Sequence, residues 1–255
     1  MIGAITGDII GSVYEGYGIK TKEFPLFDPR CRFTDDTVLT IAVAKAILDN
    51  IDYTIAVKEI GRKYPNAGYG GTFIQWLFSD DSEPYNSWGN GSAMRVSPVG
   101  FAFNTREKVL EEAKKTAEIT HNHPEGIKGA QATALSVFLA RTGHAKSRIK
   151  DDLQTTFGYD LDRTINEIRP AYSFDVSCQG SVPESIIAFL DSDSFEDAVR
   201  NAISLGGDSD TMACIAGAVA EAHYGGVPEE IVGKVKKLVT EDLWNITESF
   251  CDKYI

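Results

Sequence analysis

The chain has 255 residues, of which 43% are hydrophobic, and 37 acidic against 25 basic side chains give it a net charge of −12. Its length and apolar content suit a packed core and exclude intrinsic disorder for most of the chain. This charge argues against a nucleic-acid partner, because phosphate backbones are bound by basic surfaces.

Cysteine spacing and hydropathy predict a cytoplasmic protein. No apolar run approaches the roughly 20 residues that span a bilayer, and Asp8 interrupts the apolar start of a chain that lacks a basic leader segment. The widely separated Cys31, Cys178, Cys214 and Cys251 form no zinc-like pattern and indicate reduced thiols. We expect no membrane association, and a monomer is favoured.

Hydrophobic periodicity predicts helices along the whole chain and few strands. The predicted helices cover 35–49, 53–64, 105–120, 125–141, 147–156, 160–168, 183–190, 194–204, 210–224, 228–240 and 241–253, with Pro183 and Pro228 opening two of them. Residues 1–14 and 210–224 are apolar nearly all round, which predicts two central buried helices. The expected fold is all-α, with 1–255 as a single compact domain.

Three segments between the predicted helices, 16–33, 65–104 and 170–182, are expected to be loops. They contain aromatics and glycines, and loops this long within a helical domain are more often functional than idle. Residues 16–33 are a candidate mobile flap.

Two acidic motifs precede apolar helices. Thr34, Asp35 and Asp36 precede the first, and Gly206-Gly207-Asp208-Ser209-Asp210-Thr211 opens the second. Each motif alone is explained by helix capping, because Thr and Asp accept hydrogen bonds from free backbone N–H groups. Together they offer oxygen ligands for Mg²⁺, Mn²⁺ or Ca²⁺, and no Cys or His suited to zinc.

Three further segments carry candidate functional groups. Glu15 ends the apolar start of the chain, where it is either functional or an ordinary solvated acid, whereas Asp8 is expected to be a buried hydrogen-bonding group. The segment from Gly89 to Arg95 could bring backbone N–H groups to a diphosphate or could form a tight turn without a ligand. His121 is the more promising of two histidines before a helix.

Five of these segments occur in an order that resembles the ADP-ribosylglycohydrolase superfamily, which includes the dinitrogenase-reductase-activating glycohydrolase and the ADP-ribosyl-arginine and ADP-ribosyl-serine hydrolases. The matching segments are GDIIGSVYE, FTDDT, GNGSAMR, THNHPEGIKGAQA and LGGDSDTMACIAGA, which lie between about residues 3 and 225. Each segment is short, but their order and combination are specific.

The resemblance implies an all-α fold with a cleft that holds two Mg²⁺ or Mn²⁺ ions. The implied metal ligands are Thr34, Asp35, Asp36, Asp208, Asp210 and Thr211. The implied catalytic residues are Glu15, Asp35 and Asp210, where Glu15 is a general acid or base or positions the ribose 2″-OH. The implied substrate-binding residues are Gly89, Asn90, Gly91, Ser92, Met94 and His121.

The implied reaction is hydrolysis at ribose C1″ of an ADP-ribosylated protein or a small-molecule ADP-ribose conjugate, with ADP-ribose as product. A metal pair would let an acidic protein hold a pyrophosphate. The linkage stays open between arginine, serine and other conjugates, and residues that contact adenine are not placed. Two alternatives remain: a two-metal phosphatase or phosphodiesterase, and a catalytically silent ADP-ribose-binding protein.

Overall fold

The structure, a computed structural model, describes residues 1–255 and consists of helices joined by loops, with no β-strand. The helices are α1 (Ile2–Gly11), α2 (Asp35–Asp49), α3 (Tyr53–Gly61), α4 (Gly71–Phe78), α5 (Gly91–Met94), α6 (Ser97–Ala102), α7 (Arg106–Glu118), α8 (Pro124–Arg141), α9 (Lys146–Phe157), α10 (Ile165–Ile168), α11 (Cys178–Leu190), α12 (Phe195–Ile203), α13 (Ser209–Tyr224), α14 (Glu229–Val235) and α15 (Glu241–Tyr254). The all-α prediction is confirmed.

Helices α1 and α13 pack against each other at the centre of the molecule and are buried along almost their whole length, as predicted. Their backbones approach so closely that a Cβ added at Gly7 would lie 1.9 Å from the carbonyl oxygen of Ala213. One added at Gly3 would lie 2.2 Å from that of Gly217. Only glycine permits this approach, which fixes the start of α13 beside the end of α1.

The other helices surround this pair. Helices α8, α11 and α12 pack on α13, whereas α2 packs against α1, α3 and α15. Thr34 caps α2 by accepting a hydrogen bond from the Asp36 N–H at 3.4 Å. The N-termini of α2 and α13 lie beside the C-terminal half of α1, because Thr34 N donates to Asp8 and Gly11 packs against the backbone of Asp210. No helix of the structure is both long and apolar enough to cross a bilayer.

Several predicted boundaries are wrong. Helix α11 begins at Cys178, so Pro183 lies inside it and does not open it, because the Ser177 side chain accepts from the Gly180 N–H and caps the helix earlier. Helix α10 is shorter than predicted because Thr164 and Glu167 form a capping box at its start. Helix α14 starts at Glu229, one residue after the predicted start, and ends at Val235, before a series of turns.

The predicted loop 65–104 contains three short helices, α4, α5 and α6. The predicted flap, 16–33, is anchored to the core: Lys20 Nζ donates to the carbonyls of Tyr172 and Leu205, and Arg200 Nη1 donates to those of Lys22 and Phe24 at 2.9 and 2.7 Å. Its mobility stays a prediction.

Candidate active site

The two acidic motifs meet at a cleft of about 570 Å³. Asp36, in the first turn of α2, accepts a hydrogen bond from the Thr211 hydroxyl in the first turn of α13, at 3.2 Å. Glu15, which follows α1, lines the same cleft. Three segments that are far apart in the chain thus bring their oxygen-bearing side chains together.

The carboxylates form two overlapping clusters. Oxygens of Asp8, Asp36 and Asp210 lie within 4.8 Å of one another, and so do oxygens of Glu15, Asp208 and Asp210. Asp210 belongs to both clusters, and Glu15 is the only exposed member. Asp35 lines the cleft without joining either cluster.

Capping does not account for this arrangement. Asp208 is the N-cap residue of α13, yet its side chain makes no capping hydrogen bond and instead accepts from Asn90 Nδ2 at 2.8 Å. Thr34 does cap α2. The capping explanation therefore holds for the first motif only, and it leaves the Asp208 carboxylate facing the cleft.

Buried carboxylates crowd one another in both clusters. Burial, followed by the negative charge of neighbouring carboxylates, raises the pKa of Asp35 to about 8 and raises the pKa values of Asp36 and Asp210 well above their usual range. No Lys or Arg forms an ion pair with a cluster member. The buried Asp36 Oδ1 has no hydrogen-bond partner. An all-oxygen donor set with an orphaned carboxylate oxygen fits a hard divalent cation.

Asp8 links the first motif to α1. Its carboxylate accepts hydrogen bonds from Thr34 N at 2.9 Å, from Thr34 Oγ1 at 2.6 Å, from Thr37 N at 3.1 Å and from Thr37 Oγ1. This is the buried hydrogen-bonding group that the sequence indicates. The sequence does not predict that Asp8 belongs to an acidic cluster, because a single carboxylate in an otherwise largely apolar helix forms no metal-binding pattern.

The segment around Gly89 forms one wall of the cleft. Its backbone is held by a hydrogen bond from Asn90 N to the carbonyl of Val176, at 2.8 Å. Gly89, Asn90, Gly91, Met94 and His121 all line the cleft. Ser92 does not: its hydroxyl donates to the carbonyl of Gly126 at 2.7 Å, which ties the segment to α8.

Four aromatic side chains line the cleft. They are Phe73, Tyr85, Trp88 and Phe174. Trp88 and Phe174 are about half exposed, at 49% and 52%, and flat apolar faces open to solvent suit the stacking of a planar ring. These residues come from three separate segments, so no local sequence pattern predicts that they line one cleft.

The fold is all-helical, and carboxylates line its cleft, as the sequence resemblance predicts for an ADP-ribosylglycohydrolase. The model of the ADP-ribosylglycohydrolase family matches residues 1–254, and the chain belongs to this family.

Three known proteins illustrate the relationship. The chain is 26% identical to ADP-ribosylhydrolase ARH3 of Xenopus tropicalis, over 88% of this chain and 86% of the relative. It is 28% identical to ADP-ribosylarginine hydrolase Tri1 of Pseudomonas putida, over 58% and 42% of the two chains. The solved structure of an ADP-ribosylglycohydrolase-related protein complex matches with a TM-score of 0.73 at 22% identity, over 98% of this chain and 94% of that one.

The alignment with the Xenopus protein runs over 303 positions, more than the 255 residues of this chain. The relative therefore carries inserted residues that this chain lacks.

Proposed function

We propose that the protein is a metal-dependent ADP-ribosylglycohydrolase that hydrolyses the bond at ribose C1″ of an ADP-ribosylated substrate and releases ADP-ribose. One observation carries the proposal: the two helix-start motifs and Glu15 converge in one cleft, in a member of this family. The relatives named for ADP-ribose chemistry support the reaction class.

The proposed metal ligands are those of the two helix starts, Thr34, Asp35, Asp36, Asp208, Asp210 and Thr211, and they would hold two Mg²⁺ or Mn²⁺ ions. Ions held there would fix the sugar and lower the pKa of a water or hydroxyl, while the surrounding carboxylates supply the negative charge that suits an oxocarbenium-like transition state at C1″. Asp8 holds the backbone of the first motif in place through its bonds to Thr34 and Thr37.

Glu15 has a different role in this proposal. As the one exposed member of the clusters it can reach the scissile bond, where its carboxylate holds or moves a proton at the leaving atom or orients the ribose 2″-OH. Gly89, Asn90 and Gly91 present backbone to the diphosphate, and the exposed aromatic side chains of the cleft stack against the adenine. The substrate is an ADP-ribosylated protein or a small conjugate.

The decisive experiment measures free ADP-ribose released from matched arginine-linked and serine-linked ADP-ribosyl peptides, with Mg²⁺, with Mn²⁺ and with a chelator. We expect chelator-sensitive release from one of the two peptides. Equal release with and without the chelator would contradict metal dependence.

The same samples separate the alternatives. Hydrolysis of a phosphomonoester without release of ADP-ribose would indicate a two-metal phosphatase. Binding of ADP-ribose by calorimetry without release from either peptide would indicate a binding protein or a different conjugate.

A further inference from the structure

Arg95 is a buried cation without a counter-ion. Its side chain is 0% exposed, and it makes no ion pair with any carboxylate. Nη2 donates to the carbonyl of Thr116 at 2.7 Å and to Thr120 Oγ1 at 2.8 Å, whereas Nε and Nη1 have no partner. Burial lowers the pKa of Arg95 only to about 10, so the guanidinium keeps its charge at neutral pH. A buried unpaired charge is unfavourable for folding, which points to another role.

A hydrogen-bond chain leads from Arg95 to the cleft. Thr120 Oγ1, which accepts from Arg95, also lies 2.7 Å from Nδ1 of His121. A guanidinium only donates, so Arg95 occupies one of the two lone pairs of Thr120 Oγ1, and the single hydroxyl proton is satisfied by donating to Nδ1. No other acceptor lies within hydrogen-bond distance of that hydroxyl. A neutral His121 then carries its proton on Nε2.

The Nε2 atom faces the wall of the cleft formed by the Gly89 segment. A Cβ added at Gly91 would lie 3.1 Å from Nε2, and one at Gly89 would lie 3.6 Å from it, so glycine at these positions leaves room beside the ring nitrogen. No protein group bonds to Nε2. Burial, and then the charge of Arg95, lower the pKa of His121 well below its usual range, which keeps the ring neutral.

We propose that Arg95 is a positioning residue that acts through Thr120 to hold His121 as a neutral imidazole with its proton on Nε2, ready to donate to an anionic oxygen of the ligand. That this oxygen belongs to the diphosphate of an ADP-ribosyl group rests on the function proposed above. The hydrogen-bond chain itself does not depend on that function.

The state of His121 is measured directly on the unliganded protein. Long-range ¹H–¹⁵N spectra of protein labelled at its four histidines distinguish the two neutral tautomers from the imidazolium, and His121→Gln assigns the His121 signals. We expect the Nε2–H tautomer at neutral pH. An Nδ1–H tautomer or an imidazolium in the wild-type protein would overturn the proposal without any further variant.

Thr120→Val removes the hydroxyl at nearly constant size. We expect His121 to lose its single tautomer and the Kd for ADP-ribose, measured by calorimetry, to rise about tenfold. Thr120→Ser, which restores the hydroxyl, should restore both. The matched control is Thr116→Val on the preceding turn: Thr116 is equally buried, but its hydroxyl donates to the carbonyl of Ala113 and stands outside the chain.

The two readouts separate this proposal from the proposed function. An unchanged tautomer in a folded Thr120→Val protein refutes the chain, whatever the protein binds. A changed tautomer supports it even if ADP-ribose fails to bind the wild type, a result that would contradict only the proposed function. Equal effects of Thr116→Val and Thr120→Val on the tautomer would show a general packing effect and overturn the role of the Thr120 hydroxyl.

Discussion

Asp210 is the carboxylate that the two acidic clusters share, so Asp210→Asn perturbs both clusters at once. The side chain is 4% exposed, and asparagine keeps its size while removing the charge. Two unit charges 4.8 Å apart repel by about 3.5 kcal/mol at an effective dielectric constant of about 20. Proton uptake relieves part of this repulsion, because burial and the neighbouring carboxylates raise the pKa of Asp210 well above its usual range.

We therefore expect Asp210→Asn to stabilise the metal-free protein by about 1–3 kcal/mol, which for 255 residues is a rise in Tm of about 2–6 °C. Added metal should stabilise the wild type but not the variant. At a cation concentration about 100 times its Kd, the wild type gains about 2.7 kcal/mol, or about 5 °C in Tm. The variant should lose this gain together with its turnover.

The assay is calorimetric unfolding with chelator, Mg²⁺ or Mn²⁺, alongside ADP-ribose release and circular dichroism. Asp193→Asn is the matched control, since it makes the same change of charge at an exposed position. Full activity and a full metal-induced rise in Tm in Asp210→Asn would refute the ligand assignment. A metal-free Tm that falls by several degrees would refute the repulsion argument.

Three further predictions test other parts of the site. Glu15→Gln should keep the metal-induced rise in Tm and lose turnover about 10²- to 10⁴-fold; loss of the rise would show that Glu15 is a ligand. Gly7→Ala forces a methyl group against the carbonyl of Ala213 and should lower Tm by about 2–6 °C, whereas Gly233→Ala, which adds its methyl group in open space, should not; equal Tm values would contradict the close approach of α1 and α13. In the metal-free protein, the pKa of Asp35 is raised to about 8, so the folded state holds a proton that the unfolded state releases above about pH 4. The stability of the metal-free protein should therefore decrease as the pH rises from about 4 to about 8, and Mg²⁺ should reduce this dependence on pH. A metal-free Tm that rises with pH over this range would contradict the raised pKa of Asp35.

Local sequence signals predict the helices well where a cap and a long apolar face coincide. Helix α2 has the predicted bounds of 35–49 because Thr34 caps it and its apolar residues continue for four turns. Helices α5 and α6 span four and six residues, too few for periodicity to show. Pro183 misleads because the preference of proline for a first turn is statistical, and the Ser177 cap decides where α11 begins.

The candidate site is predictable only in part, because some of its residues form local motifs and others are brought together only by the fold. The two acidic motifs can be recognised because each is a compact run of oxygen-bearing residues, and they pair because a hard cation needs more oxygen ligands than one motif offers. The sequence does not predict that Phe73 and Tyr85 line the cleft, because tertiary packing between distant segments places them there. Ser92 shows the converse: its motif suggests a ligand contact, whereas its hydroxyl serves the packing of the segment on α8.

Carboxylates held this close oppose their own assembly, so the geometry of the clusters must be imposed by the helices that carry them. Asp8 on α1 binds Thr34 and Thr37 at the start of α2, and Thr211 on α13 binds Asp36 on α2. The glycine contacts fix α1 against α13, which closes the triangle of three helices. Because all of these links join protein groups to one another, helix packing itself sets the positions of the carboxylates, and its energy offsets their repulsion.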